Sequence, residues 1–564
     1  MEVTSARGLR LEVAGRELTG PLRHEPAERR RGSPLLGLPA LVLLVLLVVP
    51  MGWTLVRALH APTPLVGNFR DLFTDPDALR AAWHSVLWVG IALVLLAVGY
   101  GIAIVSRQVA GLWRVVLYVM ILPFGVSAVV AGAVFRMIFD PNPERGMASA
   151  LFGGGVTWLG PDLIWWVLAS AFAWSWLGFV VVLFRAGLDA NPGLGHRLGR
   201  LRLPRTGPVT SIVVLTVLVA AIRVFDLVLI AAPGSIQNDV DVVGLHWWRM
   251  TARSADPGGP AALAVTLFVI VAALSIIGMR GMWRGAPAEP VPIAESTSDG
   301  PRRWWSRLVG VGLVLMWIMP VVVLVATALH GPAAAGSAGW WRLEGLGLGS
   351  FASVGATWLW PAVVGSLLIA GLATALVVAV AVPAAYLLTW RFPRRPARAL
   401  TMVLGVLAVA PVQMYAGPVG DVFDAAGFAG SRAFLALVHA AAGLPFATLV
   451  LRAAFAAAPR SAEDEGRPAL DTLWRRGRYR PALIAVAVLE FVLVWNDFIV
   501  GFLISGPGNS PLTLLLWGEA RQFGTSAGTV AAGAVVSALI PVALLLLTWR
   551  RVVAGLTGET VRAR

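Results

Sequence analysis

Apolar runs of about 20 residues recur along the whole chain, separated by short polar segments rich in arginine. Coiled into a helix, a run of that length crosses the ~30 Å hydrocarbon core of a bilayer. The runs predict twelve helical spans in two sets of six. The first set lies at about 35–58, 83–105, 113–137, 162–184, 208–230 and 260–282. The second lies at about 307–329, 362–389, 399–419, 432–455, 481–504 and 529–550. Each set has a long loop after its first span, a basic loop before its fifth and a polar interruption late in its fifth. The expected fold class is therefore an all-α polytopic membrane protein built as two pseudo-repeated six-helix halves.

The segment GAPAEPVPIAESTSDGPR (Gly285–Arg302) has the composition of a flexible linker. The expected organisation is an arm over 1–34, a first half over 35–284, a linker over 285–304 and a second half with a tail over 305–564. The arm is polar and arginine-rich. The apolar run after it is too long for the core of a cleavable signal, so it is expected to be retained as the first span.

Composition agrees with this pattern. Of 564 residues, 58% are hydrophobic and 13% charged, with a mean hydropathy of +0.78. Soluble domains carry roughly a quarter charged residues. The net charge of +15 is carried by arginine, since lysine is absent. The arginines sit in alternate loops, at Arg107, Arg197–Arg205, Arg280–Arg303, Arg391–Arg398 and Arg460–Arg480, and in the tail. The intervening loops hold Asp71, Asp75, Asp77, Asp239, Asp241 and Asp256. By the positive-inside rule both termini are expected in the cytoplasm of a cell-membrane protein. Basic residues spread in this way do not make a nucleic-acid surface.

Cysteine is absent, which excludes disulfides, thiolate metal sites and cysteine nucleophiles. The seven histidines have no metal-ligand spacing. No phosphate-binding glycine loop or nucleophile motif is present, so neither enzymatic activity nor a cofactor is expected.

Several blocks resemble the permeases of carbohydrate-uptake (maltose-type) ABC importers. In the first half they are LPFGVSAVVAGAVFRMIFDP (Leu122–Pro141), FAWSWLGFVVVLFRAGLDANP (Phe172–Pro192) and VFDLVLIAAPG (Val224–Gly234). In the second they are AAYLLTWR (Ala384–Arg391), LPFATLVLRAAFAAAP (Leu444–Pro459), VLVWNDFIVGFLI (Val492–Ile504) and VVAGLTGETV (Val552–Val561). The resemblance implies two fused permease halves, cytosolic ABC ATPase subunits, an extracytoplasmic solute-binding protein and a sugar-like small-molecule substrate. It also implies an "EAA" coupling loop before the fifth span of each half, and there the sequence departs from the family. In the first half, after Asp189, Arg197 and Arg200, only the closing Leu201-x-Leu203-Pro204 remains. In the second, Glu463-Asp464-Glu465-Gly466 is followed by Pro468, which cannot sit inside a helix without losing a hydrogen bond. Both coupling loops are therefore read as degenerate.

Polar groups inside spans are costly and mark candidate function. Arg223 and Asp226 stand three apart on the fifth span, either lining a substrate path or neutralising each other. On the eleventh, Glu490, Asn496 and Asp497 either line the path or hydrogen-bond between helices. Trp174, Trp176 and Trp495 are the interior rings that could stack on a sugar, against a packing role. The basic loops can meet an ATPase or bind anionic membrane lipid. Three functions stay open: an ATP-driven importer permease, a degenerate permease serving as a receptor or scaffold for a binding protein, and an ion-coupled secondary transporter.

Overall fold

The computed structural model describes residues 34–557 except 61–65, 108–111, 154, 191–193, 199–200, 205–208, 255, 284–288, 291–303, 332–338, 429, 458–472, 474–478, 507 and 522–526. Among the described residues, eight helices are long and apolar enough to cross a membrane unbroken. In chain order they contain the expected first, second, fourth and sixth spans of the first half: Leu38–His60, Pro76–Arg107, Ile164–Ala190 and Gly258–Trp283. They also contain the same four of the second: Trp304–Ala328, Leu359–Tyr386, Arg432–Ala457 and Ala527–Thr557.

The four remaining spans differ from the sequence expectation, because each is broken. They are the third and the fifth of each half. The third of the first half turns by 107° between Val115–Gly125 and Ala128–Ile138. Pro123 opens a 3-10 turn there, and the Ser127 hydroxyl caps the second piece by accepting from the Val130 amide at 3.3 Å. Its counterpart runs Arg394–Leu407, then a 3-10 turn after Pro411, then Ala416–Ala425. The fifth spans divide as Val209–Ile222 with Asp226–Ala231, and as Arg480–Asn496 with Ile499–Ile504. Short helices repeat as well. Gly67–Thr74 and Gly349–Thr357 precede the second spans, and Val243–Arg253 and Leu512–Ala520 precede the sixth.

The first span of each half packs on the sixth span of its own half and also reaches into the opposite half. Leu38–His60 packs on Ala416–Ala425 and Arg432–Ala457 of the second half, and Trp304–Ala328 packs on Leu112–Ile121 and Ala128–Ile138 of the first. Matching polar contacts pin both. The Thr54 hydroxyl donates to the Met414 carbonyl at 2.8 Å, and the Trp174 indole donates to the Trp317 carbonyl at 2.9 Å. Arg57 and Asp421 form an ion pair at 2.6 Å beside the former. These first spans leave rows such as Leu41, Val42, Val45 and Val49, or Leu308, Val311 and Leu315, exposed. Such rows are stable facing acyl chains.

Three short strands are the exception to the all-helical pattern. β1 (Leu194–Leu198) and β2 (Leu201–Pro204) form an antiparallel hairpin joined through two residues, with Leu198 opposite Leu201. β3 (Glu289–Pro290) pairs with β1, bringing the inter-half segment beside the loop that precedes the fifth span.

Candidate functional site

The breaks in the spans meet around one cavity of about 650 Å³ between the two halves. Its wall takes the turn from Pro123 to Ala128, the fifth span from Ser211 to Leu227, Thr401–Val409, Ala442–Ala453 and residues of Glu490–Ile499. Breaking a helix inside a bilayer frees backbone groups, which is tolerated where protein or a polar cavity satisfies them. Side-chain acceptors satisfy some of these groups here. The Asp226 carboxylate accepts from the Leu227 amide at 3.0 Å. The Asp497 carboxylate accepts from the amides of Val500 and Gly501 at 3.0 and 3.2 Å.

Five of the eight path residues expected from sequence line the cavity: Trp176, Arg223, Asp226, Glu490 and Asn496. Trp176 sits in an aromatic cluster, edge-on to Phe124 with centroids 5.8 Å apart and to Phe179 at 6.0 Å. Glu490 is only 4% exposed, and its carboxylate rests on Gly443, where a side chain would collide with it. Asn496 donates to the Gly125 carbonyl at 3.1 Å, and its own carbonyl oxygen is buried without a partner.

The other three lie outside the lining. Trp174 is committed to the Trp317 carbonyl. Trp495 is stacked on Phe491, and its indole donates to the Ser537 carbonyl at 2.9 Å. Asp497 is a helix cap, and its backbone carbonyl accepts from the Thr513 hydroxyl at 2.5 Å. The side-by-side placement expected of Arg223 and Asp226 on one helix face is replaced by a break, since the helix ends at Ile222 and restarts at Asp226. Arg223 interacts electrostatically with Asp497 and Tyr415 of the second half instead. Likewise Glu490 and Asp497 do not share a face, because the helix ends at Asn496.

Sequence reasoning missed Arg452 and Gly443, which both line the cavity. Arg452 carried the signal that an intramembrane charge always carries. Gly443 carried none, because its part is set by what packs against it.

Of the expected coupling residues, Asp189 ends the fourth span in an ion pair with Arg185 at 2.7 Å. The Arg185 guanidinium also donates to the Ser106 hydroxyl at 3.0 Å. Arg197 lies in β1, and Leu203 and Pro204 lie in β2. Arg200, Glu463, Asp464, Glu465 and Gly466 lie outside the described residues. Among the described residues no group of three or more histidines and carboxylates could hold a metal ion.

No protein-family model matches the chain. Among curated proteins, a probable ABC transporter permease protein of Pyrococcus horikoshii is 24% identical over 283 residues, 43% of this chain and 96% of the relative. The osmoprotective compounds uptake permease protein GgtD of Synechocystis is 28% identical over 44% of this chain and 89% of its own length. The trehalose/maltose transport system permease protein MalF of Thermococcus litoralis is 23% identical over 47% of this chain and 96% of its own length. Each relative is covered almost end to end by less than half of this chain, which is what a chain holding two permease halves gives. The chain is therefore a relative of the sugar-type ABC transporter permeases, consistent with two fused permease halves, and an all-α polytopic membrane protein.

Proposed function

We propose that the protein is the membrane permease of a binding-protein-dependent importer and moves a sugar-like solute inward by ATP-driven alternating access. The observation that carries this reading is the cavity framed by corresponding breaks in both halves. Halves whose first spans bridge the join and that meet at broken spans can rock about a fixed central site. Cytosolic ATPase subunits would supply the energy, an extracytoplasmic binding protein would deliver the solute, and both termini would be cytoplasmic. Aromatic faces beside hydroxyl and carboxylate groups suit a sugar, with stacking on Trp176 and hydrogen bonds to Ser127, Ser175 or Asn496.

Deletion of the chain in its host, followed by uptake of a panel of labelled sugars, tests this. Uptake of at least one sugar should be lost, and in the parent it should survive collapse of the proton gradient but stop on ATP depletion. The opposite sensitivities would overturn the reading in favour of an ion-coupled transporter.

A second reading has one observation in its favour. The β1–β2 hairpin occupies the stretch where the family resemblance implies a coupling helix. A permease with no docking helix for an ATPase could serve as a receptor for its binding protein. Normal capture of the binding protein without any sugar uptake would favour that role.

A further inference from the structure

Four ionisable side chains line the cavity: Arg223, Asp226, Arg452 and Glu490. Two of them are matched within the protein. Arg223 lies in the field of the opposite charge of Asp497, and the Asp226 carboxylate accepts from the Leu227 amide. Glu490 is different. Among the described residues it has no hydrogen bond or ion pair, and burial alone acts on it, with no neighbouring charge. Arg452 also stands apart from any opposite charge. It lies nine residues beyond Gly443 on the same helix, about 13 Å along the axis. A carboxyl that is 4% exposed and unpaired in an apolar wall either holds a proton or meets a cation in the cavity. Gly443 leaves the carboxylate room, and Phe446, one turn further along, adds an aromatic ring to the same wall.

We propose that Glu490 is the specificity-determining group of the cavity and that the transported solute presents a protonated amine to it. Resting on the sugar-path reading above, this narrows the substrate class to polyhydroxylated solutes that carry an amino group. The carboxylate would accept two charge-assisted N–H bonds, and the neighbouring aromatic rings would favour the cation further.

The test is calorimetric binding of two probes, glucosamine and glucose, to the full-length protein purified in detergent. They differ by one amine in place of a hydroxyl. The native protein should bind glucosamine about tenfold tighter than glucose. Glu490→Gln should bring the two affinities together, and Glu490→Asp, which keeps the charge, should retain a preference. Elution and helical content identical to the native protein establish that both variants are folded. Glucose binding without any preference for the amine, or a preference that survives in Glu490→Gln, overturns the assignment but leaves the sugar path standing. Binding of neither probe overturns both.

Discussion

Asn496 donates its side-chain amide to the backbone carbonyl of Gly125 at 3.1 Å, a contact between residues 371 positions apart in sequence. Asn496 ends the helix before one break, and Gly125 lies in the turn of another, in the opposite half. One hydrogen bond thus ties two broken spans across the cavity. Asn496→Ala leaves that carbonyl without this donor and should cost about 1 kcal/mol of stability. The melting temperature in detergent should fall, and substrate uptake should change more than expression does. A variant with native melting and native uptake would show that the contact is incidental.

Gly443 and Glu490 form a coupled pair, because a methyl group at 443 would run into the carboxylate. Gly443→Ala alone should lower stability by about 1–3 kcal/mol through overpacking. Combining it with Glu490→Ala should recover a substantial part, since shortening the glutamate empties the contested space. A double-mutant cycle on thermal stability measures the coupling, and strictly additive effects would refute the contact.

Gly178 crosses the Met120 carbonyl so closely that no Cβ fits, whereas Gly101 has open space around it. Gly178→Ala should reduce the yield of folded protein sharply. Gly101→Ala should be neutral or slightly stabilising, because alanine is the better helix former by about 1 kcal/mol. Equal yields from the two variants would contradict the packing of the fourth span against the third.

The chain has no cysteine, so single introduced cysteines report on topology directly. A cysteine at Ala294 in the inter-half segment should resist a membrane-impermeant maleimide in intact cells and react after lysis. A cysteine at Ser235, between the fifth and sixth spans, should react in intact cells. The reverse pattern would invert the proposed orientation.

Much of the fold could be read from sequence because the apolar runs are set by the bilayer rather than by tertiary detail. The breaks were harder to read. At VAAIRVFDLVLIAAPG the apolar composition continues across the break, and only Arg223 and Asp226 mark it. The proline at 123 was a local signal for its turn, as was that at 411. The tryptophans show a different limit. Trp174 and Trp176 are two apart on one helix, so they point about 200° apart and cannot both face the cavity. Choosing between them requires knowing where the second half lies, and the Trp317 carbonyl claims Trp174. The β1–β2 hairpin was invisible because its sequence reads as the remnant of a coupling loop.

Arg223 should matter more to the join between halves than to a pairing with Asp226. Arg223→Gln should weaken the attraction to Asp497 and disturb uptake, while Asp226→Asn, which keeps the oxygen that accepts from the Leu227 amide, should be milder. Uptake equally impaired by both would favour a direct Arg223–Asp226 unit.

If the two fused halves form an importer driven by a separate ATPase, gentle solubilisation of the tagged protein from its native membrane, with mass spectrometry of what accompanies it, should recover an ABC ATPase together with a solute-binding protein. A binding protein without any ATPase, under conditions that keep a control importer whole, would contradict it.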